Sequence, residues 1–132
     1  MHLRGIHHIA IICSDYARSR AFYVGTLGLP IVSEEFRAER NSYKLNLALP
    51  DGTQLELFSF PSPPTRLTHP EACGLRHLAL RVTSVADAVA SLTSKGVSVE
   101  PVRIDAATSA PFTFFADPDG LPIELYQDED VR

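Results

Sequence analysis

The chain of 132 residues contains an internal repeat, which limits its fold more than any other feature of the sequence. The stretch GIHHIAII, beginning at Gly5, is matched by GLRHLALR, beginning at Gly74. The stretch DGTQLELF from Asp51 is matched by DGLPIELY from Asp119. Because the matches keep their order at offsets of 69 and 68 residues, the sequence predicts a duplicated unit.

Both repeats predict the same order of elements: an apolar strand, a helix that ends at a glycine, and three further strands. The predicted strands are 6–13, 31–37, 43–49 and 54–60, then 76–82, 97–103, 112–116 and 122–127. The predicted helices begin at Ser14 or Asp15 and at Ser84 or Val85, and they end before Gly28 and at Lys95.

We therefore predict an α+β fold of two tandem βαβββ modules. The modules are residues 1–60 and 74–132, and the segment 61–73, which holds four prolines, is a stiff linker between them. Together they form one domain, in which a concave mixed sheet surrounds a cavity on the side that the helices leave open.

Composition excludes several classes of partner. A hydrophobic fraction of 45% and a charged fraction of 21% are ordinary for a soluble globular domain. The net charge is −4, without a basic run, so no nucleic-acid surface is expected. The longest apolar run, residues 9–13, is too short to cross a membrane. No signal peptide is evident, and we expect a cytoplasmic protein.

Strand alternation places His8, Glu56, His77 and Glu124 on the open face, because their immediate neighbours are apolar and pack under the helices. A carboxylate flanked by leucines is costly unless something pairs with it. One divalent ion could hold all four side chains. A metal-free hydrogen-bonded cluster and four unrelated exposed residues are the alternatives.

Imidazole and carboxylate ligands suit borderline divalent ions, with zinc or nickel first and cobalt, manganese or iron also suitable. The same alternation places further side chains around the predicted cavity. One wall is polar and includes Lys44, Asn46 and Arg81. The other wall is aromatic and consists of Phe58, Phe112, Phe114 and Tyr126. A small substrate with an anionic head and an apolar body would suit such a cavity, unless Lys44 and Arg81 only reach solvent at its rim.

Four motifs resemble the vicinal oxygen chelate superfamily, whose members share the glyoxalase/bleomycin resistance/dioxygenase fold. They are HIAI from His8, LELF from Leu55, GLRHLA from Gly74 and DPDGLPIEL from Asp117. The order His, Glu, His, Glu is similar to glyoxalase I (lactoylglutathione lyase) and its small bacterial relatives. The resemblance implies a homodimer, one metal ion per site and a small substrate whose adjacent oxygens bind the metal.

The resemblance also implies a lyase or isomerase reaction. The metal polarises the substrate oxygens and stabilises an enediolate, while Glu124 or, second, Glu56 transfers a proton between neighbouring carbons. An epimerase, a dioxygenase or a non-catalytic binding or resistance protein is the alternative. Glyoxalase I proteins commonly have an Arg and an Asn for glutathione where this chain has Ile12 and Phe60, so glutathione recognition is in question.

Overall fold

The computed structural model describes residues 1–128, which form two compact units divided between Thr65 and Arg66. Each unit contains one copy of the repeat, with a four-stranded mixed sheet and few helical residues. The predicted fold of tandem βαβββ modules is confirmed. No helix within the described residues is long and apolar enough to cross a membrane.

In the first unit the strand order is β1-β4-β3-β2, in which β1 is parallel to β4 and the other pairs are antiparallel. The elements are β1 (His8–Cys13), α1 (Tyr16–Arg20), β2 (Ile31–Arg37), β3 (Ser42–Ala48) and β4 (Gln54–Ser59). A π-helix (Ala21–Thr26) follows α1, and a 3₁₀ turn (Ala38–Arg40) follows β2.

In the second unit the order is β5-β8-β7-β6, with β5 parallel to β8. The elements are β5 (Leu78–Val82), α2 (Val85–Ser94), β6 (Arg103–Ile104), β7 (Pro111–Ala116) and β8 (Pro122–Gln127). The two sheets therefore have the same topology, as expected from a duplicated sequence.

Side-chain caps begin both helices at the predicted positions. The Asp15 carboxylate accepts the N–H of Arg18 at 3.1 Å, and the Ser84 hydroxyl accepts the N–H of Asp87 at 3.1 Å. The first helix is not the single α-helix that the sequence predicts, because its second part is a π-helix. This part includes Gly25, a weak helix former.

The sixth strand is shorter than predicted, since only Arg103–Ile104 is in the sheet rather than 97–103. The N–H of Val97 donates to the Leu92 carbonyl and closes α2. Pro101 has no N–H to give to a neighbouring strand. Glu100 keeps an isolated contact with β7, and regular pairing starts after the proline.

The fifth strand begins at Leu78, two residues later than predicted. The Arg66 guanidinium explains the difference, because its Nη2 donates to the carbonyls of Leu75 at 2.7 Å and Arg76 at 2.9 Å. Carbonyls occupied by a side chain are not used in a strand ladder. His77 therefore lies immediately before β5.

Alternation within the strands separates a packed face from an open face in each unit. In the first unit Leu45, Leu47, Leu55 and Leu57 are fully buried. In the second, α2 contacts β7 and β8, and the buried residues include Val85, Leu92, Phe115, Ile123 and Leu125. The candidate site residues lie on the opposite, open faces.

Candidate metal centre

Each unit has one histidine beside one glutamate. In the first unit, Nε2 of His8 lies 3.7 Å from Oε1 of Glu56. In the second, Nε2 of His77 lies 3.2 Å from Oε1 of Glu124. The repeat therefore supplies the same two donor types, an imidazole and a carboxylate, in each half of the chain.

The first pair is positioned by the parallel pairing of β1 and β4. Ala10 is the register partner of Glu56, and His8 shares the face of Ala10 because side chains two residues apart point the same way. The Glu56 side chain is 11% exposed, whereas that of His8 is 44% exposed. Asn46, opposite Glu56 on β3, directs its Nδ2 to Oε2 of the carboxylate at 3.5 Å. Within the first unit, the Glu56 carboxylate therefore has two polar neighbours, His8 and the distant Asn46 amide.

The second pair is positioned by β5, β7 and β8. Ala79 and Phe114 are the register partners of Glu124 on either side. The His77 ring meets the Phe114 ring edge-on, with 5.1 Å between centroids. The side chains of His77 and Glu124 are 26% and 15% exposed. Both groups are therefore accessible to a ligand but largely shielded from bulk water.

Aspartate turns set the starts of β4 and β8, and thus the positions of both glutamates. The Asp117 carboxylate accepts the N–H groups of Asp119 and Leu121, each at 2.9 Å. The Asp51 carboxylate accepts the N–H of Thr53 at 2.9 Å. Such side-chain turns give the DPDG and PDG sequences a physical reason to precede these strands.

A second imidazole lies next to the first pair. Nδ1 of His7 is 2.9 Å from Nδ1 of His8, although neighbouring side chains in a regular strand point to opposite faces. His7 precedes β1, where the strand geometry does not apply. A hydrogen bond from Nδ1–H of His8 to His7 would leave the Nε2 lone pair of His8 available beside Glu56, a common arrangement for histidine ligands.

The second unit contains a cavity of about 530 Å³, which is large enough for a small organic molecule. His77 and Glu124 lie in its wall, together with the rings of Phe112 and Phe114. The wall also includes three arginines, Arg66, Arg76 and Arg103. The sequence did not single out these arginines as site residues.

Tyr126, a predicted substrate contact, lies beside the cavity wall. Its ring stacks on that of Phe112, with 6.5 Å between the centroids and 19° between the planes. Its hydroxyl donates to Oδ2 of Asp105 at 2.9 Å and contacts the Thr108 hydroxyl. The backbone N–H of Ala107 and, second, this hydroxyl hold the pKa of Asp105 below its ordinary value. Tyr126 therefore holds the loop between β6 and β7 through contacts with Asp105 and Thr108.

The other predicted substrate residues have separate surroundings. In the first unit, Nζ of Lys44 lies 5.9 Å from the centroid of the Phe58 ring, and Asn46 contacts Glu56. Arg81 in the second unit pairs with Asp128 at 3.1 Å and is not part of the cavity wall. Its predicted role in substrate binding stays a prediction.

The donor set fits a divalent metal ion, because two imidazoles and two carboxylates are ligands of zinc, nickel and similar ions. The two carboxylates would balance the charge of a dication. Within residues 1–128, no group of three or more His, Cys, Asp or Glu side chains is gathered into one cluster. Each pair by itself thus supplies two donors.

Comparison with known proteins shows the family to which the chain belongs. The family model described as the Glyoxalase/Bleomycin resistance protein/Dioxygenase superfamily matches residues 5–125. YwkD of Bacillus subtilis (strain 168) is 58% identical over 127 residues, which are 96% of this chain and 99% of that protein. YaeR of Escherichia coli (strain K12) is 54% identical over 125 residues, or 95% and 97% of the two chains. Both relatives are described as uncharacterized proteins.

Solved structures show the same architecture. A glyoxalase family protein from Enterococcus faecalis is 43% identical, with a TM-score of 0.89 over 96% of this chain and 100% of that one. TnmS3, an antibiotic-binding protein from Streptomyces sp. CB03234, is 26% identical, with a TM-score of 0.71 over 96% and 98%. Glyoxalase I of Zea mays, at 19% identity and a TM-score of 0.82 over 95% and 46%, shares the fold.

Proposed function

Since the chain belongs to the Glyoxalase/Bleomycin resistance protein/Dioxygenase superfamily, we propose that it is a metal-dependent lyase or isomerase of the glyoxalase I type. Superfamily members typically bind small molecules and often form dimers, and many are metalloenzymes. The observation that carries the proposal is the presence of one His–Glu pair on the open face of each repeated unit. The predicted homodimer and cytoplasmic location belong to the same proposal.

The proposed ligands of one divalent ion are His8, Glu56, His77 and Glu124. Zinc and nickel are the first candidates, and cobalt, manganese and iron suit the same donors. When bound, the ion would act as a Lewis acid toward adjacent oxygens of a substrate. The close approach of each Nε2 to a carboxylate oxygen, at 3.7 and 3.2 Å, supports the assignment of the donor atoms.

We assign the general base to Glu124 and place Glu56 second. Glu124 lies in the wall of the cavity of about 530 Å³, so its carboxylate can take a proton from a bound substrate and return it to the neighbouring carbon. Glu56 is the more buried of the two side chains and has the Asn46 amide as a partner. Those surroundings suit a fixed ligand better than a group that exchanges protons.

The cavity wall supports a substrate that is partly apolar. Phe112 and Phe114 provide an aromatic surface beside His77 and Glu124. The rings shield the proton transfer from water and hold the substrate against the carboxylate. Lys44, Asn46, Phe58, Arg81 and Tyr126 stay proposed substrate contacts. Ile12 and Phe60 replace the residues that serve glutathione in glyoxalase I, so the proposed substrate need not contain glutathione.

The direct test is an assay of the zinc- or nickel-loaded protein with the hemithioacetal of methylglyoxal and glutathione. Formation of the thioester that the chelator-treated protein does not form is the expected result. Metal binding without this activity would redirect the assignment to another reaction of the superfamily, such as epimerisation or dioxygenation.

A second candidate function is the binding of a small molecule without chemistry. The 26% identity to TnmS3, an antibiotic-binding protein, favours it, and the aromatic cavity wall would suit an apolar drug. This function does not need both His–Glu pairs. Ligand affinity that is unchanged in a His8→Ala/His77→Ala double variant would favour the second candidate over the enzyme.

A further inference from the structure

The wall of the cavity in the second unit includes a positively charged side chain, Arg103, which has no role in the proposed metal site. The guanidinium carbon of Arg103 lies 5.0 Å from the centroid of the Phe112 ring and 5.7 Å from that of Phe114. The Phe114 ring in turn contacts the ring of His77. Arg103, the two phenylalanine rings and the His77–Glu124 pair thus all line the same cavity.

The Arg103 guanidinium contacts two rings that are nearly perpendicular to each other, at 87°, so this planar group can lie flat on at most one of them. Cation–π contacts depend on its charge and do not use its five N–H donors as hydrogen bonds. No hydrogen bond of this guanidinium to another group is found in residues 1–128. Its edges are therefore available to a ligand.

The acidic neighbour of Arg103 does not neutralise it. Nη2 of Arg103 lies 3.7 Å from Oε1 of Glu100, and both side chains are more than half exposed. A contact of this length and exposure is weak, because water screens the attraction and both side chains would lose freedom. An anionic ligand that enters the cavity can displace it at small cost.

The other arginines near the cavity are less suited to the same role. Arg66 donates to two backbone carbonyls and to the Thr68 hydroxyl through Nε and Nη2, so acceptors of the chain itself already hold its guanidinium. Arg81 is paired with Asp128 and lies outside the wall. Arg76 lines the cavity but has no aromatic ring against its guanidinium among the described residues.

We propose that Arg103 binds an anionic oxo group of the substrate, either a carboxylate or a phosphonate. This group is at one end of the substrate, and the adjacent oxygens proposed to bind the metal are at the other end. The planar guanidinium matches either group through two parallel hydrogen bonds. This inference rests on the proposed function for the position of the adjacent oxygens. It makes Arg103 a specificity-determining residue and defines the substrate as a small anion with an apolar middle.

The test uses three small hydroxamates, whose paired oxygens bind divalent metals. Acetohydroxamate has no second charge, succinate monohydroxamate adds a carboxylate, and phosphonoacetohydroxamate adds a phosphonate. Their affinities for the zinc-loaded full chain are measured by calorimetry in the wild type, in Arg103→Met and in Arg103→Lys. Arg18→Met is the control, because Arg18 is an exposed helix residue outside the cavity wall.

We expect at least one anionic hydroxamate to bind the wild type about tenfold more tightly than acetohydroxamate, the lower end of what charge-assisted hydrogen bonds contribute. Arg103→Met should abolish this preference and leave acetohydroxamate unaffected. Arg103→Lys should keep part of it, and Arg18→Met all of it. The identity of the preferred anion distinguishes carboxylate from phosphonate substrates. Equal affinities of the wild type for all three probes, or an unchanged preference in Arg103→Met, would overturn the inference.

A measurement without metal separates this inference from the proposed metal site. Succinate and phosphonoacetate are titrated into the metal-free protein while the Nε–Hε resonances of the arginine side chains are followed by NMR. A selective shift of the Arg103 resonance, assigned by its loss in Arg103→Met, supports the inference even if no hydroxamate binds the zinc-treated protein. No shift with either anion would contradict the role of Arg103, whatever the metal result.

Discussion

The Nδ1 atoms of His7 and His8 lie 2.9 Å apart, so one ring must carry the hydrogen that the other accepts. When His8 is the donor, its Nε2 holds a lone pair on the side of Glu56. His7 then acts as a positioning residue, because it fixes the tautomer and the orientation of a proposed metal ligand.

The first prediction concerns this contact. His7→Ala should weaken metal binding by about tenfold, the lower end of the effect of removing a partner of a ligating histidine, without a change in thermal stability of the metal-free protein. His7→Asn, which can still accept the hydrogen bond, should recover part of the affinity. The measurement is zinc titration against a competing chelator. His2→Ala, at an exposed position, is the control, and an equal loss there would contradict the role of His7.

The second prediction concerns Arg66. Its guanidinium donates to the carbonyls of Leu75 and Arg76 at 2.7 and 2.9 Å, which holds the segment directly before His77. Arg66→Met should lower the free energy of unfolding by about 1 kcal/mol, because two hydrogen bonds from a charged group are lost while the exposed carbonyls of Leu75 and Arg76 regain water. Urea unfolding measures this loss. Arg18→Met, which removes an exposed charge without such bonds, should stay within about 0.5 kcal/mol of the wild type.

The third prediction concerns the proposed base. Glu124→Gln keeps the shape of the side chain but removes its ability to accept a proton. We expect an unchanged fold by circular dichroism and a loss of turnover of about 100-fold or more. Glu39→Gln, an exposed change in the 3₁₀ turn, is the matched control. Full turnover in Glu124→Gln would exclude Glu124 as the base and make Glu56 the next residue to test.

The fourth prediction concerns pH. The pKa of Asp105 is lowered in the folded protein by the N–H of Ala107 and by the Tyr126 hydroxyl. A lowered pKa means that the ionised carboxylate stabilises the fold above its ordinary value of 3.8, and that this contribution is lost as the pH falls through the lower, folded value. Asp105→Asn should therefore be less stable than the wild type at pH 6.

The same measurement at lower pH checks the sign of the effect. Between pH 5 and about pH 2, the stability difference between Asp105→Asn and the wild type should shrink, because the wild-type carboxyl becomes protonated. Tyr126→Phe removes one of the stabilising donors and should show a smaller pH dependence than the wild type. Urea unfolding across this range measures both, and a difference that grows on acidification would refute the assignment.

The sequence predicted the architecture because duplication makes each half a check on the other. The caps at Asp15 and Ser84 and the strands that contain Glu56 and Glu124 follow from local residue patterns. Alternation then correctly separated the buried leucines from the open face. Within each unit, this local information was enough to bring a histidine next to a glutamate.

The structure differs from the sequence prediction where a contact depends on another part of the chain or on the exact end of a strand. The late start of β5 depends on Arg66, which lies nine residues before the first carbonyl that it binds. The proximity of His7 to His8 depends on where β1 begins. Arg103 went unnoticed because its partners, Phe112 and Phe114, are on a neighbouring strand whose register the sequence does not contain. Pairing between strands, rather than the pattern within one strand, selects these contacts.

Metal stoichiometry tests the central claim, that the two His–Glu pairs are ligands of one ion. The purified full chain is incubated with zinc or nickel, freed of excess ion and measured by mass spectrometry for metal content per chain. We expect about one equivalent in the wild type, and a large loss in both His8→Ala and His77→Ala, because the proposed site has four protein ligands. Less than about a tenth of an equivalent in the wild type, under conditions where the ligands are deprotonated, would contradict it.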